Sequence, residues 1–288
     1  MKKLLILSGK GGTGKTTMAA SFAYLSNAKA IADCDVDAPN LHLVSRFEVE
    51  PIVSEFIGSK KAKIDANLCI GCKACLSHCR FHSIRVVDGK CEVDEYACEG
   101  CGVCEFVCPM HAVHLEDDVA GEQRLYIADR VFSTAKLKMG RGNSGKLVSE
   151  VKKSLFAHSN ADLAIIDGSP GIGCPVIASM SGVDFVLIVA EPSLSGLSDL
   201  MRLVSTARSL HVLLGVCVNK YDVSIENTQA IEAYCKKEEI PFVGKVPYDK
   251  QALAAMNEKM SLVQMDSLAA DAIRKIYDCT LVLLDKVK

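Results

Sequence analysis

The sequence lacks three features that would place it in common classes of protein. Its formal net charge is only −2, so no overall charge excess points to a nucleic acid or to an anionic membrane surface. No apolar run approaches the ~20 residues that a membrane span requires. The first residues imitate an export signal, but the apolar run stops after four residues at Ser8 and a glycine loop follows. We therefore expect a cytoplasmic protein with no stable membrane anchor and no nucleic-acid partner.

Cysteine, in contrast, is abundant, with fourteen residues in a chain of 288. Without an export signal, so many cysteines argue against a disulfide scaffold. They favour reduced thiolates that bind metal.

The order of apolar and helical patterns predicts an α/β fold interrupted by an insert. A strand at residues 3–7, a helix at 15–26 and a strand at 30–32 predict a parallel crossover. After the cysteine-rich residues 63–118 the α/β rhythm resumes. The later strands are expected at 125–128, 163–166, 185–190 and 212–218, and the later helices at 145–157, 195–210, 225–237 and 267–285. We predict one parallel-sheet domain from residues 1–62 and 119–288, and a separate domain from residues 63–118.

A glycine-rich loop after the first strand carries the pattern G-x-x-x-x-G-K-[ST]. Its glycines let backbone N–H groups surround phosphate oxygens at the positive end of a helix. Lys15 is expected to pair with the β and γ phosphates, and the Thr16 hydroxyl to bind Mg²⁺. The alternative, a glycine turn that only caps a helix, is disfavoured because motif, strand and helix coincide. The predicted nucleotide-binding residues are Gly11, Gly12, Thr13, Gly14, Lys15, Thr16 and Thr17.

Lys10 adds a second cation to this loop, and the segment from Lys10 to Thr16 reads K-G-G-x-G-K-[ST]. This resembles the deviant phosphate loop of the MinD/Mrp/nitrogenase iron protein family. The resemblance implies an ATPase with the parallel-sheet fold of that family, using ATP and Mg²⁺, in which Lys10 reaches the partner's phosphates across a nucleotide sandwich. We therefore expect a homodimer, or a heterodimer with a paralogue. The alternative for Lys10 is a solvated loop lysine.

Two further segments resemble the switches of the same family. Residues 33–40 resemble switch I, in which we expect Asp35 to position the attacking water and to serve Mg²⁺. Asp33 and Asp37 compete for that role, and ordinary turn aspartates are the alternative. The strand 163–166 ends at Asp167, which begins a sequence that resembles switch II and is expected to lie near Mg²⁺ with Thr16.

The segment around the strand at 212–218 resembles the adenine side of the same site. Asn219 and Lys220 match an N-[KR] pair, with an amide able to bind a base edge. Residues 246–249 resemble a later turn that flanks the base. Asn and Pro are also ordinary loop formers at strand ends.

Two copies of C-x₂-C-x₂-C-x₃-C begin at Cys69 and Cys98, and this spacing resembles that of bacterial two-cluster ferredoxins. The resemblance implies an α+β ferredoxin-like insert with two [4Fe–4S] clusters. Zinc is the competing metal, because paired C-x₂-C units also build zinc ribbons. Arg80 stands where the first motif usually has proline, so a different turn is expected there. By resemblance, cluster I is bound by Cys69, Cys72, Cys75 and Cys108, and cluster II by Cys98, Cys101, Cys104 and Cys79.

The remaining cysteines and the insert's repeated histidines are surplus to this ligand set. His82 and His111 occupy equivalent places in the two copies, and we expect surface or capping roles rather than tuning of the clusters. Cys174 lies about where the nitrogenase iron protein would place a cluster-bridging cysteine, but the second ligand has no counterpart, which favours packing. Small buried apolar residues are expected for most of Cys34, Cys91, Cys174, Cys217, Cys235 and Cys279.

The insert is acidic, since residues 63–118 hold five lysines and arginines against ten aspartates and glutamates. A redox or metallocluster partner with a basic docking face is therefore expected. The sequence leaves three functions open. The first is nucleotide-gated electron transfer through the clusters, the second is an ATP-dependent carrier of clusters, and the third is a non-enzymatic redox adaptor that senses nucleotide.

Overall fold

The fold was analysed in a computed structural model, which describes residues 1–43 and 49–286. The chain forms two compact units. Unit 1 contains residues 1–53, 123–136 and 144–288, and unit 2 contains residues 54–122 and 137–143. Unit 2 is therefore larger than the predicted insert of residues 63–118. Three strands cross the boundaries between the units, and part of each of these strands belongs to unit 2.

The described residues form thirteen strands and nine α-helices. The strands are β1 (Lys2–Leu7), β2 (Ala30–Asp33), β3 (Ile52–Ile57), β4 (Lys61–Ile64), β5 (Ile84–Val87), β6 (Lys90–Val93), β7 (Val113–Glu116), β8 (Val119–Ile127), β9 (Val131–Leu137), β10 (Leu163–Asp167), β11 (Phe185–Ala190), β12 (Leu213–Asn219) and β13 (Phe242–Val246). The helices are α1 (Lys15–Leu25), α2 (Ala74–His78), α3 (Val103–Phe106), α4 (Ser144–His158), α5 (Cys174–Met180), α6 (Leu194–Ser209), α7 (Ile225–Lys237), α8 (Gln251–Asn257) and α9 (Leu268–Leu284).

Unit 1 is built on parallel strands in the order β13-β12-β11-β1-β10-β2-β9. Strand β11 is apolar along its whole length and every one of its residues is buried, because helices cover both faces of such a sheet. Helices α1 and α9 pack together on one face, where Leu4, Phe22 and Ile273 join one core. The ends of the parallel strands therefore present the loops that follow β1, β2 and β10 along one edge of the sheet.

Serine caps mark the start of three long helices of unit 1, α6, α7 and α9. Ser193, Ser224 and Ser267 each accept a backbone N–H from the first turn of the helix that follows. Helix α1 lacks such a side-chain cap, since its N-cap is Gly14. Among the described residues, no helix is long and apolar enough to cross a membrane.

The predicted strands and helices of unit 1 are present, with boundaries that match or differ by one residue except at β8. That strand begins at Val119 rather than at residue 125. Strands β3, β9 and β13 and helices α5 and α8 lie in segments where no element was predicted. In β3, polar and charged residues stand among the apolar ones, so a periodic pattern does not reveal it.

Unit 2 consists of two short antiparallel ladders and two short helices. Strand β4 pairs with β7, and β5 pairs with β6. Its two apolar cores are small, with Ala62, Cys98 and Val113 in one and Cys75, Ile84 and Cys91 in the other.

The sequence repeat of the insert is also a structural repeat. His82 and His111 both adopt left-handed backbone, with φ of 52° and 51°, and both are exposed, in keeping with the surface role expected of them. Before each motif, an aspartate side chain accepts a hydrogen bond from the backbone N–H of the second residue after it. Asp65 accepts from Asn67, and Asp94 accepts from Tyr96. The two halves of unit 2 therefore share one local fold, related by a shift of 29 positions that carries Cys69 onto Cys98.

Candidate functional site

A large cleft opens at the glycine loop of unit 1. Its volume is about 830 Å³. Residues 10–18 form one wall, and Asp35, Asp37 and Asn40 border it from the loop after β2. Because the loop joins β1 to α1, its residues stand at the positive end of that helix.

At the base of the cleft, three polar side chains bind one another. The Lys15 ammonium donates to Asp167 Oδ1 at 2.6 Å, and the Thr16 hydroxyl donates to Asp167 Oδ2 at 2.7 Å. Burial alone would lower the pKa of Lys15, but the charge of Asp167 and its hydrogen bond raise it above the ordinary value. Asp35 Oδ2 lies 4.0 Å from the Lys15 ammonium. The expected phosphate-binding lysine and the expected Mg²⁺ ligands therefore lie together.

The three aspartates after β2 differ in surroundings. Asp33 is fully buried and accepts backbone N–H groups from Asp35, Asn40 and Leu41. Burial and the charge of Asp167 nevertheless raise the pKa of Asp33 to about 7. Asp35 and Asp37 border the cleft, whereas Asp33 does not. Asp33 thus shapes the loop, and only Asp35 and Asp37, of the three aspartates that the sequence offered, border the cleft.

Asn219 and Lys220 hold the phosphate loop from the other side. The Asn219 amide donates to the Thr13 carbonyl at 2.7 Å, and the Lys220 ammonium donates to the Gly12 carbonyl at 3.0 Å. A Cβ on Gly14, whose φ is 92°, would lie 2.2 Å from Asn219 Nδ2. Glycine is therefore required at position 14 by its backbone conformation and by the close approach of Asn219.

Lys10 forms an ion pair within its own chain. Its ammonium lies 2.6 Å from Glu191 Oε2 and donates to the hydroxyls of Ser193 and Ser195 at 3.3 and 3.1 Å. Neither the glutamate nor the serines were singled out in the sequence, because they follow β11, some 180 positions from the loop. Lys10 is thus paired and not simply solvated.

The far wall of the cleft is largely apolar and was only partly predicted. The turn 246–249 borders the cleft, as its resemblance to a base-flanking turn suggested. Beyond it, α8, α9 and the loop between them contribute a wall that carried no recognisable motif. Its apolar residues are Ala252, Leu253, Met256, Leu262, Ala269 and Ile273.

Polar groups that have no hydrogen-bond partner in the cleft make it suitable for a nucleotide and Mg²⁺. Among the described residues, the buried Thr13 Oγ1 and Asn40 Oδ1 have no hydrogen-bond partner, and both residues border the cleft. No side chain caps the start of α1, and its first turn holds no acidic residue. Backbone N–H groups and the helix dipole are therefore free to favour an anion, beside an apolar wall suited to a base.

The eight motif cysteines of unit 2 fall into two cavities. Cavity I is bordered by Cys69, Cys72, Cys75 and Cys108. Cavity II is bordered by Cys79, Cys98, Cys101 and Cys104. Each set takes three cysteines from one motif and the fourth from the other. The two sets are the ones that the ferredoxin resemblance implies.

Cavity I has a fifth cysteine, Cys91, which was expected from the sequence to be a small buried apolar residue. Cys91 in β6 is 4% exposed and borders the cavity. Burial raises the pKa of the Cys75 thiol, and a hydrogen bond with the Cys91 thiol raises it further. Within the described ranges, no three His, Cys, Asp or Glu side chains are grouped closely enough to hold one metal ion. The thiols instead surround a space.

The other surplus cysteines divide by exposure. Cys34, Cys217 and Cys235 are buried, as expected of small apolar residues, whereas Cys174 and Cys279 are exposed. Most of the six surplus cysteines are therefore buried, as expected, but the packing favoured for Cys174 is wrong. Cys174 opens helix α5, and its backbone and Cβ lie beside Gly145, where an added Cβ would approach them to 3.3–3.4 Å.

Comparisons with known proteins agree with this cleft. The family model for the CobQ/CobB/MinD/ParA nucleotide binding domain matches residues 4–263. An uncharacterized protein of Methanocaldococcus jannaschii is 31% identical over 285 residues, covering 96% of this chain and 95% of its own. An iron-sulfur cluster carrier protein of Methanococcus maripaludis is 26% identical over 138 residues, covering 43% of this chain and 48% of its own.

A solved structure shows the same fold. The septum site-determining protein MinD of Pyrococcus horikoshii, in complex with Mg-ADP, matches with a TM-score of 0.58 at 18% identity. The match covers 98% of this chain and 96% of that one. The predicted parallel-sheet α/β fold of the MinD type is thereby confirmed.

Proposed function

The chain belongs to the CobQ/CobB/MinD/ParA nucleotide-binding family, and from this membership we propose that it is an ATPase that also carries iron–sulfur clusters. In the proposal, the nucleotide state of a sandwich dimer controls electron transfer through two [4Fe–4S] clusters to a metalloprotein partner. The observation that carries it is the division of eight cysteines into two cavities of four. In a [4Fe–4S] cluster each thiolate binds a different iron, so the sulfurs surround a space rather than one ion. This arrangement favours clusters over zinc.

ATP hydrolysis would use the side chains at the base of the cleft. Lys15 would hold the β and γ phosphates, and Thr16 and Asp167 would hold Mg²⁺, which supplies charge stabilisation when bound. Asp35, 4.0 Å from the Lys15 ammonium, would orient the attacking water. Lys10 would leave Glu191 and contact the phosphates bound by the partner copy. The Mg-ADP complex of the MinD structure supports nucleotide in such a cleft.

Coupling between nucleotide and clusters is proposed through a strand that contributes to both units. Asp33 at the end of β2 pairs in register with Thr134 of β9. Strand β9 continues to Leu137, where the chain passes into unit 2. A rearrangement of the loop after Asp33 would therefore act beside the middle of a strand that continues into unit 2.

An electron-transfer partner is favoured by the surface of unit 2. Residues 63–118 carry a net charge of −5 before any cluster is bound. Exposed apolar side chains accompany both motifs, and the most exposed, Phe106, is 92% accessible. The set comprises Leu68, Ile70, Phe81, Val103, Phe106 and Met110. Exposed apolar side chains on an acidic segment suit a basic protein that docks close to the clusters.

The test measures electron transfer as a function of nucleotide. The anaerobically purified chain is reduced with dithionite, freed of excess reductant and mixed with a basic cytochrome in stopped flow. We expect rates with MgATP and MgADP to differ by about tenfold or more, a free-energy difference of about 1.4 kcal/mol. The difference should vanish in Lys15→Ala and persist in Lys153→Ala, a matched variant at an exposed lysine of α4. Equal rates under all these conditions would overturn the proposal.

A second candidate, an ATP-dependent carrier of iron–sulfur clusters, is favoured by the relative of that name. The two functions differ in whether iron leaves the chain. The chain is loaded with ⁵⁷Fe and incubated with an apo-ferredoxin and MgATP, and the iron in each protein is then measured. Retention of iron by the chain supports electron transfer. ATP-dependent delivery supports the carrier. No ATP hydrolysis, with or without reduction, would instead favour the nucleotide-sensing adaptor.

A further inference from the structure

Cys91 holds a position in unit 2 that directs its side chain at cavity I. It lies in β6, which pairs with β5 through the register Val86 to Cys91. Its thiol contacts the Cys75 thiol through a hydrogen bond, and its backbone N–H donates to the Cys69 sulfur. Cys91 therefore touches two of the four thiols assigned to cluster I.

The structural repeat shows what Cys91 adds. The shift of 29 positions that carries Cys69 onto Cys98 carries Ala62 onto Cys91. Ala62 is 1% exposed, borders cavity II and donates its backbone N–H to Cys98 Sγ at 3.5 Å. Both residues thus occupy the same place beside the first cysteine of a motif. Only cavity I has a sulfur atom there.

We propose that Cys91 is a reserve ligand of cluster I, able to bind iron in place of Cys75, and that cluster II has no such reserve. This inference rests on the proposed presence of two clusters. In the exchange, the bond between iron and the Cys75 sulfur breaks and Cys75 takes a proton. The Cys91 thiol releases a proton and its sulfur forms the new bond to iron. No electron is transferred, and the cluster keeps four thiolate ligands.

The chemistry of the site favours this role over that of an inert buried thiol. A buried cysteine surrounded by apolar side chains packs like a small hydrophobic residue. Cys91 instead borders the same cavity as four other thiols, the set that the ferredoxin resemblance assigns to cluster I. Bound iron stabilises the thiolate of any sulfur that it can reach. The fifth sulfur is therefore a competitor for iron.

The repeat supplies a matched pair of variants for the test. Cys75→Ala and Cys104→Ala remove equivalent ligands, one from each cavity. The full-length variants are reconstituted anaerobically, and iron, acid-labile sulfide and the electron paramagnetic resonance of the reduced protein are measured. Release of iron to a chelator is then followed over time. Wild type is expected to hold about eight iron atoms, as two [4Fe–4S] clusters require.

If Cys91 is a reserve ligand, Cys75→Ala keeps about the wild-type iron content and releases iron within about twofold of the wild-type rate. Cys104→Ala and the double variant with Cys75→Ala and Cys91→Ala release iron from one cluster about tenfold faster or more, a typical size for losing an interaction that holds a metal. If Cys75→Ala and Cys104→Ala released iron equally fast while the wild type held two clusters, the inference about Cys91 would be overturned and the proposed function would stand. A wild type without clusters would instead overturn the proposed function.

A second experiment adds a thiol to cavity II, so that the inference can be tested even if a variant of cavity I does not fold. Ala62→Cys places a thiol in cavity II at the position that corresponds to Cys91. In the Cys104→Ala background this substitution is expected to slow iron release by about tenfold and to restore the signal of two [4Fe–4S] clusters. Ala62→Ser in the same background is the control and should restore neither. Failure of Ala62→Cys to slow release, with the wild type loaded, would count against the inference.

Discussion

The cleft of unit 1 and the cavities of unit 2 obtain their geometry in different ways. The side chains at the base of the cleft bind one another, as Lys15 and Thr16 both donate to Asp167, and they lie on a sheet with a large apolar core. In unit 2, three of the six fully buried core residues are cysteines. The cleft is therefore built before its ligand arrives, whereas the cavities are built from the groups that bind the ligand.

The largest expected effect is that removing iron unfolds unit 2 and leaves unit 1 folded. Metal binding in a small domain contributes its folding free energy, about 10 kcal/mol for structural zinc sites. After anaerobic chelation, hydrogen exchange should become rapid in residues 84–93 and 113–116. Peptides that cover β10 and β11 should keep the protection that they have in the loaded chain. Mass spectrometry of the two forms measures both in one experiment.

Re-adding iron and sulfide provides the control, since protection in unit 2 should return while that of unit 1 stays constant. If residues 84–93 stayed protected after chelation, the apolar contacts of unit 2 would suffice for its fold and the contrast would fail.

The second prediction concerns charge in the ligand-free cleft. Burial and the charge of Asp167 raise the pKa of Asp33 from 3.8 to about 7. Between these values the folded protein keeps a proton that the unfolded chain has released, so raising the pH from about 4 to about 7 destabilises the folded state through this group. The interval corresponds to about 4 kcal/mol at most. We expect wild type to lose this stability relative to Asp33→Asn, measured by denaturant unfolding at each pH.

Asp129→Asn gives a control of opposite sign. A hydrogen bond from Lys29 lowers the pKa of the exposed Asp129, so its contribution is present above the ordinary pKa of aspartate and is lost as the pH falls. A rise in the stability of wild type relative to Asp33→Asn as the pH increases would contradict the account of Asp33.

The third prediction separates the two sites by a single substitution. Lys15→Ala removes a buried charged donor, and hydrogen bonds to charged groups contribute about 1.5–3 kcal/mol. We expect ATP affinity, measured by calorimetry with Mg²⁺, to fall by about 10- to 100-fold. Iron content should not change, because the contacts of the Lys15 ammonium among the described residues are with Asp167 and Asp35 and not with a motif cysteine. Lys153→Ala should alter neither quantity, and a parallel loss of iron in Lys15→Ala would show that the sites are not independent.

The two sites also differed in how far the sequence revealed them. The phosphate loop and Asp167 were predictable because each belongs to a short motif next to a recognisable strand. Glu191 was not, because only the fold brings the loop after β11 to Lys10. The apolar wall from Ala252 to Ile273 was missed for the same reason. Its residues have the ordinary pattern of packed helices.

Within unit 2 the cysteine spacing predicted which four thiols share each cavity. The role of Cys91 was missed although a signal was present. Aligning the repeat beyond its cysteines would have paired Cys91 with Ala62 in front of equivalent motifs. The limits of unit 2 were not predictable from composition, because strands β3, β8 and β9 pass from one unit to the other without a change of pattern.

The smallest expected effect concerns the ion pair between Lys10 and Glu191, which lies in the preformed cleft and has to break if Lys10 is to reach the partner's phosphates. Lys10 and Glu191 form an ion pair of partly exposed side chains, about one third accessible in each case, and such pairs contribute about 0.2–1 kcal/mol. If Lys10 has to leave Glu191 to reach the partner's phosphates, Glu191→Gln removes that cost. MgATP-dependent dimerisation, measured by sedimentation velocity, should then strengthen by up to about fivefold. Glu238→Gln, which breaks the similar pair with Arg208, should leave it unchanged. Weaker dimerisation of Glu191→Gln would mean that Glu191 holds Lys10 in the orientation that the dimer uses. The ion pair between Lys10 and Glu191 would then be a preformed part of the cleft that persists in the dimer.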